Sequence, residues 1–479
     1  MPHHVVIAGG GFGGFHAARA LERALPADCA RVTLINDVNF MLWTPLLPGA
    51  AAGSLEPRHV VVALREQLDH TDLRLGYVRS GDPDRRELQV RTVAGHDATV
   101  HYDHLIVALG SVSKTLPVPG LAEHGLGFKT LAEGIELRNR LLLHLEIAET
   151  LDDPAERAAY LGFVFVGGGY AGVEGLAQLQ DFATDVLERY PRCRMQGLRW
   201  LLVEARDQVM SEVHPRLGEY TARELRARGI EVLTDTTVED VQPDRVRLST
   251  GDTVSTRILV WTAGVRPHPV VEQLGLPLDE GRIAVDRFCK VKGRPDVWAI
   301  GDAAAVPDPA HKDRACPPTA QHAVRQGRAV ARNVAAALGT GRARPFRYRT
   351  LGLFVDLGHR RAVAQTFGVR WRGFPAWLLA RSYHVATMPG LKRRVRLITD
   401  WTAGLAFGRD AAELGQLGHA PALNQLALSE QSASGSRAPD GASSERRFPP
   451  QDGAPAAPAV PGAATMHAPP SPEGDPSSC

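Results

Sequence analysis

Two segments of this chain spell the same turn. Val5-Val6-Ile7 leads into GGGFGG at 9–14, and Phe163-Val164-Phe165-Val166 leads into GGGYAGVE at 167–174. Both fit G-x-G-x-x-G, with Gly9, Gly11 and Gly14 in the first copy and Gly167, Gly169 and Gly172 in the second. In such a turn the first glycine allows the sharp bend. The second lets the backbone approach a pyrophosphate, and the third lets helix and strand pack closely. Free N–H groups at the start of the next helix then face the anion along the helix dipole. A chain carrying this device twice is expected to be α/β, with two Rossmann-like dinucleotide-binding domains.

The surrounding order repeats too. HHVVIAGGGFGGFHAARAL (3–21) reads as strand, turn and helix, and RVTLIND (31–37) as a second parallel strand. Shorter strands follow near 73–79, 87–93 and 98–101, and DHLIVALGS (103–111) closes the half. The second half runs LGFVFVGGGYAGVEGLAQL (161–179), RWLLVEA (199–205), short strands near 230–234, 238–242, 245–248 and 253–256, then TRILVWTAG (256–264). Strands alternating with helices imply parallel βαβ units, and the short series implies antiparallel meanders.

Composition excludes several classes. A formal net charge of +2 over 479 residues does not suit a chain built to neutralise nucleic-acid phosphates, so no nucleic-acid partner is expected. The five cysteines, Cys29, Cys193, Cys289, Cys316 and Cys479, form no CxxC or CxxxxC pair, so neither a zinc site nor a disulfide framework is indicated and no metal is expected. No apolar run reaches the roughly 18 residues of a membrane-spanning helix.

The residue ending the second strand of each half separates the two cradles. Glu204 closes RWLLVEA, where a carboxylate can accept from both hydroxyls of an adenosine ribose and repel a 2′-phosphate. This favours NADH over NADPH, although neighbouring Arg206 can accommodate the phosphate. The first half has Asn36 and then Asp37 at the matching place.

A third motif is VWAIGDAA (297–304), an apolar strand ending in Gly301-Asp302. With it, residues 1–335 resemble the flavoproteins that carry two dinucleotide domains. The resemblance implies FAD in the first cradle and NADH in the second. It places FAD against Gly9, Gly11, Phe12, Gly13, Gly14, Asn36, Asp37, Thr44, Pro45, Val78, Ala108, Gly110, Gly301, Asp302, Thr319, Ala320 and Gln321. NADH falls to Gly167, Gly169, Tyr170, Gly172, Glu174, Glu204, Ala263 and Gly264. Hydride would pass directly between the stacked rings, held about 3–3.5 Å apart.

The region where disulfide reductases of that superfamily carry a CxxxxC pair reads NFMLWTPLLPGAAAGSLEP (39–57) here, without cysteine. FMLWTPLLPGAA instead resembles the F-x-P-L-L stretch of type II NADH dehydrogenases, the single-chain NADH:quinone oxidoreductases. GGGYAGVE resembles their GGGxTGVE, VWTAGVRP (260–267) their nicotinamide-side loop, and PPTAQHAVRQG (317–327) the A-Q-x-A-x-Q-Q segment running from flavin to quinone. The resemblance covers residues 1–412 and implies a quinone as electron acceptor. It assigns Glu174 to the nicotinamide side and a proton path, and Gln321 to the acceptor. Arg325 stands where the family has its second glutamine, and a guanidinium there can donate to a quinone carbonyl. The alternative functions are a soluble NAD(P)H-dependent flavoprotein reductase with another acceptor, or a slow, redox-sensing protein that binds FAD and NADH.

In 370–410 two helical periods are visible. Phe374, Trp377, Leu378, Arg381 and Val385 share one, and Leu391, Val395, Ile398, Trp401, Thr402 and Leu405 the other. Lys392, Arg393, Arg394 and Arg396 crowd the second start. Tryptophans beside basic residues suit a helix lying in a membrane interface, which the family resemblance also implies. Peripheral attachment on the cytoplasmic side of the cell membrane is therefore expected, or a cytoplasmic protein if 370–410 is buried. The expected divisions are 1–118 and 268–338 for FAD, 119–267 for NADH, 339–415 as a C-terminal α+β interface and membrane-contact region, and a disordered tail at 416–479. A homodimer is left open.

Overall fold

The computed structural model describes residues 2–26, 28–311, 314–348 and 352–413. The tail expected at 416–479 lies outside them.

The chain opens with β1 (His3–Ala8), α1 (Phe12–Ala24), β2 (Ala30–Asn36), β3 (Asp72–Asp82), β4 (Glu87–Thr92), β5 (Asp97–His101) and β6 (His104–Val107). It continues with β7 (Gly125–Gly127), α2 (Leu131–Thr150), β8 (Gly162–Val166), α3 (Tyr170–Leu187), β9 (Arg199–Val203) and β10 (Ile230–Leu233). Then come β11 (Val238–Gln242), β12 (Arg245–Leu248), β13 (Thr253–Ser255), β14 (Ile258–Trp261), β15 (Val297–Ala299) and α4 (Ala320–Ala337). The last elements are β16 (Gly352–Asp356), β17 (Ala362–Thr366), β18 (Val369–Gly373), α5 (Phe374–Thr387) and α6 (Leu391–Phe407).

The first sheet has the order β15-β6-β1-β2-β3-β4-β5 and the second β7-β14-β8-β9-β10. In both, the strand before the glycine turn sits centrally in a parallel array. Val5 lies between Val32 and His104, and Phe163 between Trp200 and Ile258. Each glycine turn therefore opens at the carboxyl ends of the strands, beside a switch in strand order, where open α/β sheets bind ligands. One outer strand of each parallel array is set apart in sequence from the strands it joins. β7 precedes the second glycine turn, whereas β15 follows the whole second sheet.

Central strands buried on both faces read as continuous apolar runs. All five residues of β8 are buried, and Phe163 stacks on Trp200 with ring centroids 4.3 Å apart. Burial of such a ring contributes roughly 1.5–3 kcal/mol. Separate apolar clusters fill the first sheet and the two faces of the second.

The C-terminal region is a three-stranded antiparallel sheet, β16-β17-β18, followed by two helices. Within 370–410 the two expected helical periods form α5 and α6, and the four residues ahead of the first period belong to a strand that the sequence did not signal. Residues 369–373 form β18, pairing Arg372 with Val363 and Trp371 with Ala364, and helix begins only at Phe374-Pro375. Pro375 lacks the N–H that a continuing strand pair would use and suits the first turn of a helix.

Candidate functional site

The two glycine turns fold alike in detail. Gly9 has φ +103° and Gly167 φ +108°, in the region that favours glycine. A Cβ on Gly14 would lie 1.8 Å from the Gly9 carbonyl oxygen, and one on Gly172 1.9 Å from that of Gly167. The third glycine of each motif is therefore fixed by helix–strand contact. A Cβ on Gly11 or Gly169 would meet nothing within 4 Å. The middle glycine thus faces open space, as a pyrophosphate cradle requires. The N–H of Gly10 donates to Asn36 Oδ1 at 2.7 Å, and that of Gly168 to Glu204 Oε2 at 2.5 Å. Asn36 and Glu204 are therefore equivalent in place.

Their chemistry differs. Asn36 spends its amide on the local fold, since Nδ2 donates to the Val38 carbonyl. Glu204 accepts from Gly168 N–H through one oxygen and from Arg206 N–H, at 2.9 Å, through the other. Both oxygens keep lone pairs for further donors. The Arg206 guanidinium is engaged by the Ser211 hydroxyl.

Around the first turn the structure gathers most of the expected FAD residues. A Cβ on Gly13 would lie 3.7 Å from the Ala323 carbonyl oxygen, and the Gly9 turn abuts the Ala108 backbone. Gly110 and Gly301 hold φ of +70° and +69°, and Gly301 N–H donates to Gln326 Oε1 at 2.8 Å. Thr319 caps α4 ahead of Ala320 and Gln321. Phe12 packs edge-on against Trp43, next to the Thr44-Pro45 turn. Asp37 is exposed, and Val78 is buried in β3 opposite Val90. The second turn meets Thr262 and Ala263, with a Cβ on Gly167 2.9 Å from Ala263 N, and Gly264 faces open space.

A short ribbon stitches the two sites together. Ser111–Ser113 pairs antiparallel with Val265–Pro267, while Lys114 N–H reaches the Gly264 carbonyl and His268 N–H that of Gly110. The strand ends beside each cradle are thereby held against each other.

Sequence reasoning missed several polar residues here. Asp302 Oδ2 accepts from the Ser111 hydroxyl at 2.5 Å, and Lys129 Nζ donates to the same hydroxyl at 2.6 Å. Burial lowers the Lys129 pKa, against the pull of Asp302 and Glu133. Ser111 ends a motif that had been recognised; Lys129 carries no signal beyond standing just before a helix. Beside Gln321 and Arg325, the residues expected at the acceptor, Tyr348 carries no sequence signal either. Its hydroxyl donates to Gln321 Oε1 at 2.6 Å, Gln321 Nε2 donates to the Gly352 carbonyl at 2.8 Å, and the Arg325 guanidinium lies 4.2 Å from the Tyr348 ring centroid. Gln321 and Arg325 are thus both gathered by one tyrosine.

Glu174, one turn into α3, is partly buried and accepts from the Asp356 backbone N–H of β16 at 2.8 Å. Burial pushes its carboxyl up to about 8. Asp356 is itself raised by burial. Burial also raises the Tyr170 hydroxyl and lowers His384 to about 4, so that imidazole is neutral near pH 7. The free cysteines Cys193, Cys289 and Cys316 are buried.

Residues 3–327 match the pyridine nucleotide-disulphide oxidoreductase family. The chain is 31% identical over 417 residues to a type II NADH:quinone oxidoreductase of Mycobacterium tuberculosis, covering 84% of this chain and 87% of that one. A second such protein of that organism is 32% identical over 429 residues, covering 85% and 87%. This chain is a type II NADH:quinone oxidoreductase by family. The fold agrees: NDH2 of Plasmodium falciparum, solved in complex with NADH, superposes with TM-score 0.79 at 18% identity, covering 86% of this chain and all of that one.

In this family member the C-terminal helices present a bare apolar face. Phe374, Leu378, Leu391, Val395, Ile398, Leu405 and Phe407 are exposed, Leu391 at 76% and Phe407 at 88%. Trp377 and Trp401 turn inward to sandwich the Arg381 guanidinium, at 4.2 and 4.4 Å. The basic cluster is split. Lys392 and Arg396 are exposed, but Arg393 is buried, donating to the Arg58 carbonyl and pairing with Glu66. Among the described residues no helix is long and apolar enough to cross a membrane.

Proposed function

We propose that the chain holds FAD in the cradle of residues 9–14, admits NADH to that of 167–172, and passes the electrons to a quinone. The single observation carrying this is the pair of matched turns, each with its middle glycine facing open space, joined by the ribbon of Ser111–Ser113 and Val265–Pro267. Bound FAD would supply the redox chemistry linking a two-electron hydride donor to a quinone. The residues present fit it: Gly11 leaves room for the pyrophosphate, and Ser111, Asp302 and Lys129 stand at the strand ends beside that cradle.

The chain's own groups bind, orient and hold protons. Glu204 offers its remaining lone pairs to the ribose hydroxyls of NADH. Glu174 keeps a proton near neutral pH because burial penalises its anion. Gln321 and Arg325, set by Tyr348, face the acceptor side, where quinol formation consumes protons. The segments 1–118 and 268–338 form the FAD domain, 119–267 the NADH domain and 339–415 the membrane-contact unit. The protein attaches to the cytoplasmic side of a membrane, and the exposed face of α5 and α6, with Lys392 and Arg396 beside it, supports the membrane contact itself.

Steady-state NADH oxidation with and without a short-chain quinone tests the reading. Quinone should accelerate turnover well above the rate in air. Equal rates in both would instead indicate a reductase for another acceptor.

A further inference from the structure

Outside both cradles lies a cleft of about 450 Å³ lined by five arginines over Phe346. Arg325, Arg328 and Arg332 come from α4, and Arg344 and Arg347 from the segment that follows it. The α4 residues recur at i, i+3 and i+7, which places them on one helical face. The volume falls within the roughly 300–1,000 Å³ of small-molecule sites.

The cleft is pre-formed. Arg344 N–H donates to Asn333 Oδ1 at 2.8 Å, Asn333 Nδ2 to the Phe288 carbonyl at 2.8 Å, and Phe346 N–H to the Arg287 carbonyl at 2.7 Å. Phe346 is only 5% exposed and forms an apolar floor. Arg325 is held by the Gln321 carbonyl and the Tyr348 ring.

It is also uncompensated. None of the five arginines makes an ion pair with a carboxylate among the described residues. The whole chain carries a formal charge of only +2, so this concentration is local. Nearby His16 registers the field: burial, with Arg328, Arg19, Arg325 and Arg23 acting in the same sense, drives its pKa down to about 3. Guanidinium groups are planar forks matched to phosphate oxygens and prefer bidentate pairing.

We propose that this cleft binds a phosphate-rich anion through the guanidinium forks of Arg328, Arg332, Arg344 and Arg347. The shared chemistry is a cluster of phosphoryl oxygens, presented either by a soluble oligophosphate or by the headgroup of an anionic phospholipid. The site overlaps neither glycine turn, so its occupancy does not depend on the cofactor assignment.

Titration calorimetry of the flavin-loaded full chain with inorganic tripolyphosphate at low salt tests it. Saturable binding at one site is expected. The double variant Arg328→Gln/Arg332→Gln should weaken it about tenfold or more, with thermal midpoint and flavin content unchanged. Arg328→Lys/Arg332→Lys, which keeps the charge but not the fork, should fall between. Arg245→Gln/Arg247→Gln, on the distant meander, should bind as the parent does. Sedimentation with phosphatidylcholine vesicles, with and without an anionic phospholipid, separates the sources. If the glutamine variant loses the increment due to anionic lipid, the ligand is a headgroup; if only tripolyphosphate binding falls, it is a soluble anion. Absence of saturable tripolyphosphate binding overturns the proposal. So does equal weakening by the meander variant, which would reduce the effect to overall charge.

Discussion

Two glycines three residues apart do opposite jobs in this chain, and substitution separates them. Gly169 has φ −76° and ψ −174°, which alanine adopts freely, and open space where a methyl would go. Gly172 has the Gly167 carbonyl there instead. Gly169→Ala should therefore keep the parent thermal midpoint and flavin content while raising KM for NADH, because the methyl would stand in the space proposed for the NADH pyrophosphate. Gly172→Ala should lower the midpoint outright; equal midpoints for the two variants would remove the distinction. Glu174 supplies a prediction in pH. Its folded pKa of about 8 exceeds the unfolded value of 4.5, so between these limits the folded state binds the extra proton. Stability must then fall as pH rises through that window and level off above it. Urea unfolding of Glu174→Gln should show a shallower decline than the parent from about pH 5 to about pH 8, with the variant gaining steadily on it. Parallel curves would mean that the carboxyl is not raised.

Among the elements, those built on glycine turns and unbroken apolar runs were legible in the sequence. β1, β8, β9 and β14 carry side chains buried on both faces, so their composition announces them. The α2 helix was not foreseen, although Thr130 and Glu133 carry the T-x-x-E spacing that the structure closes into a capping box. β18 was missed because Val369-Arg370-Trp371-Arg372 is an exposed edge strand, four residues without an inward face to reveal its period. The paired tryptophans of α5 and α6 were legible as a helical stripe, but not as a clamp on Arg381, which depends on the crossing of two helices. That inward turn leaves Leu391, Ile398 and Leu405 to face outward. Leu391→Asp/Ile398→Asp should abolish co-sedimentation with lipid vesicles while leaving flavin content and NADH oxidation by a soluble acceptor unchanged. Retained co-sedimentation would place the membrane contact elsewhere.

For the molecule as a whole, each half can be read from its own motif, but the meeting of the halves cannot. The ribbon joining Ser111–Ser113 to Val265–Pro267 links segments about 150 residues apart and has no local signature. Tyr348, which gathers Gln321 and Arg325, follows an arginine-rich stretch that carries no motif. The candidate acceptor side was therefore legible only through the segment 317–327, and its tyrosine only through the fold. The proposed activity depends on one prosthetic group lying between two substrates. Anaerobic mixing tests it most directly. The purified protein should be yellow, NADH should bleach it within one turnover, and a short-chain quinone added afterwards should restore the colour. A protein that is colourless even after incubation with FAD, or one whose bleached form quinone leaves unchanged, would contradict it.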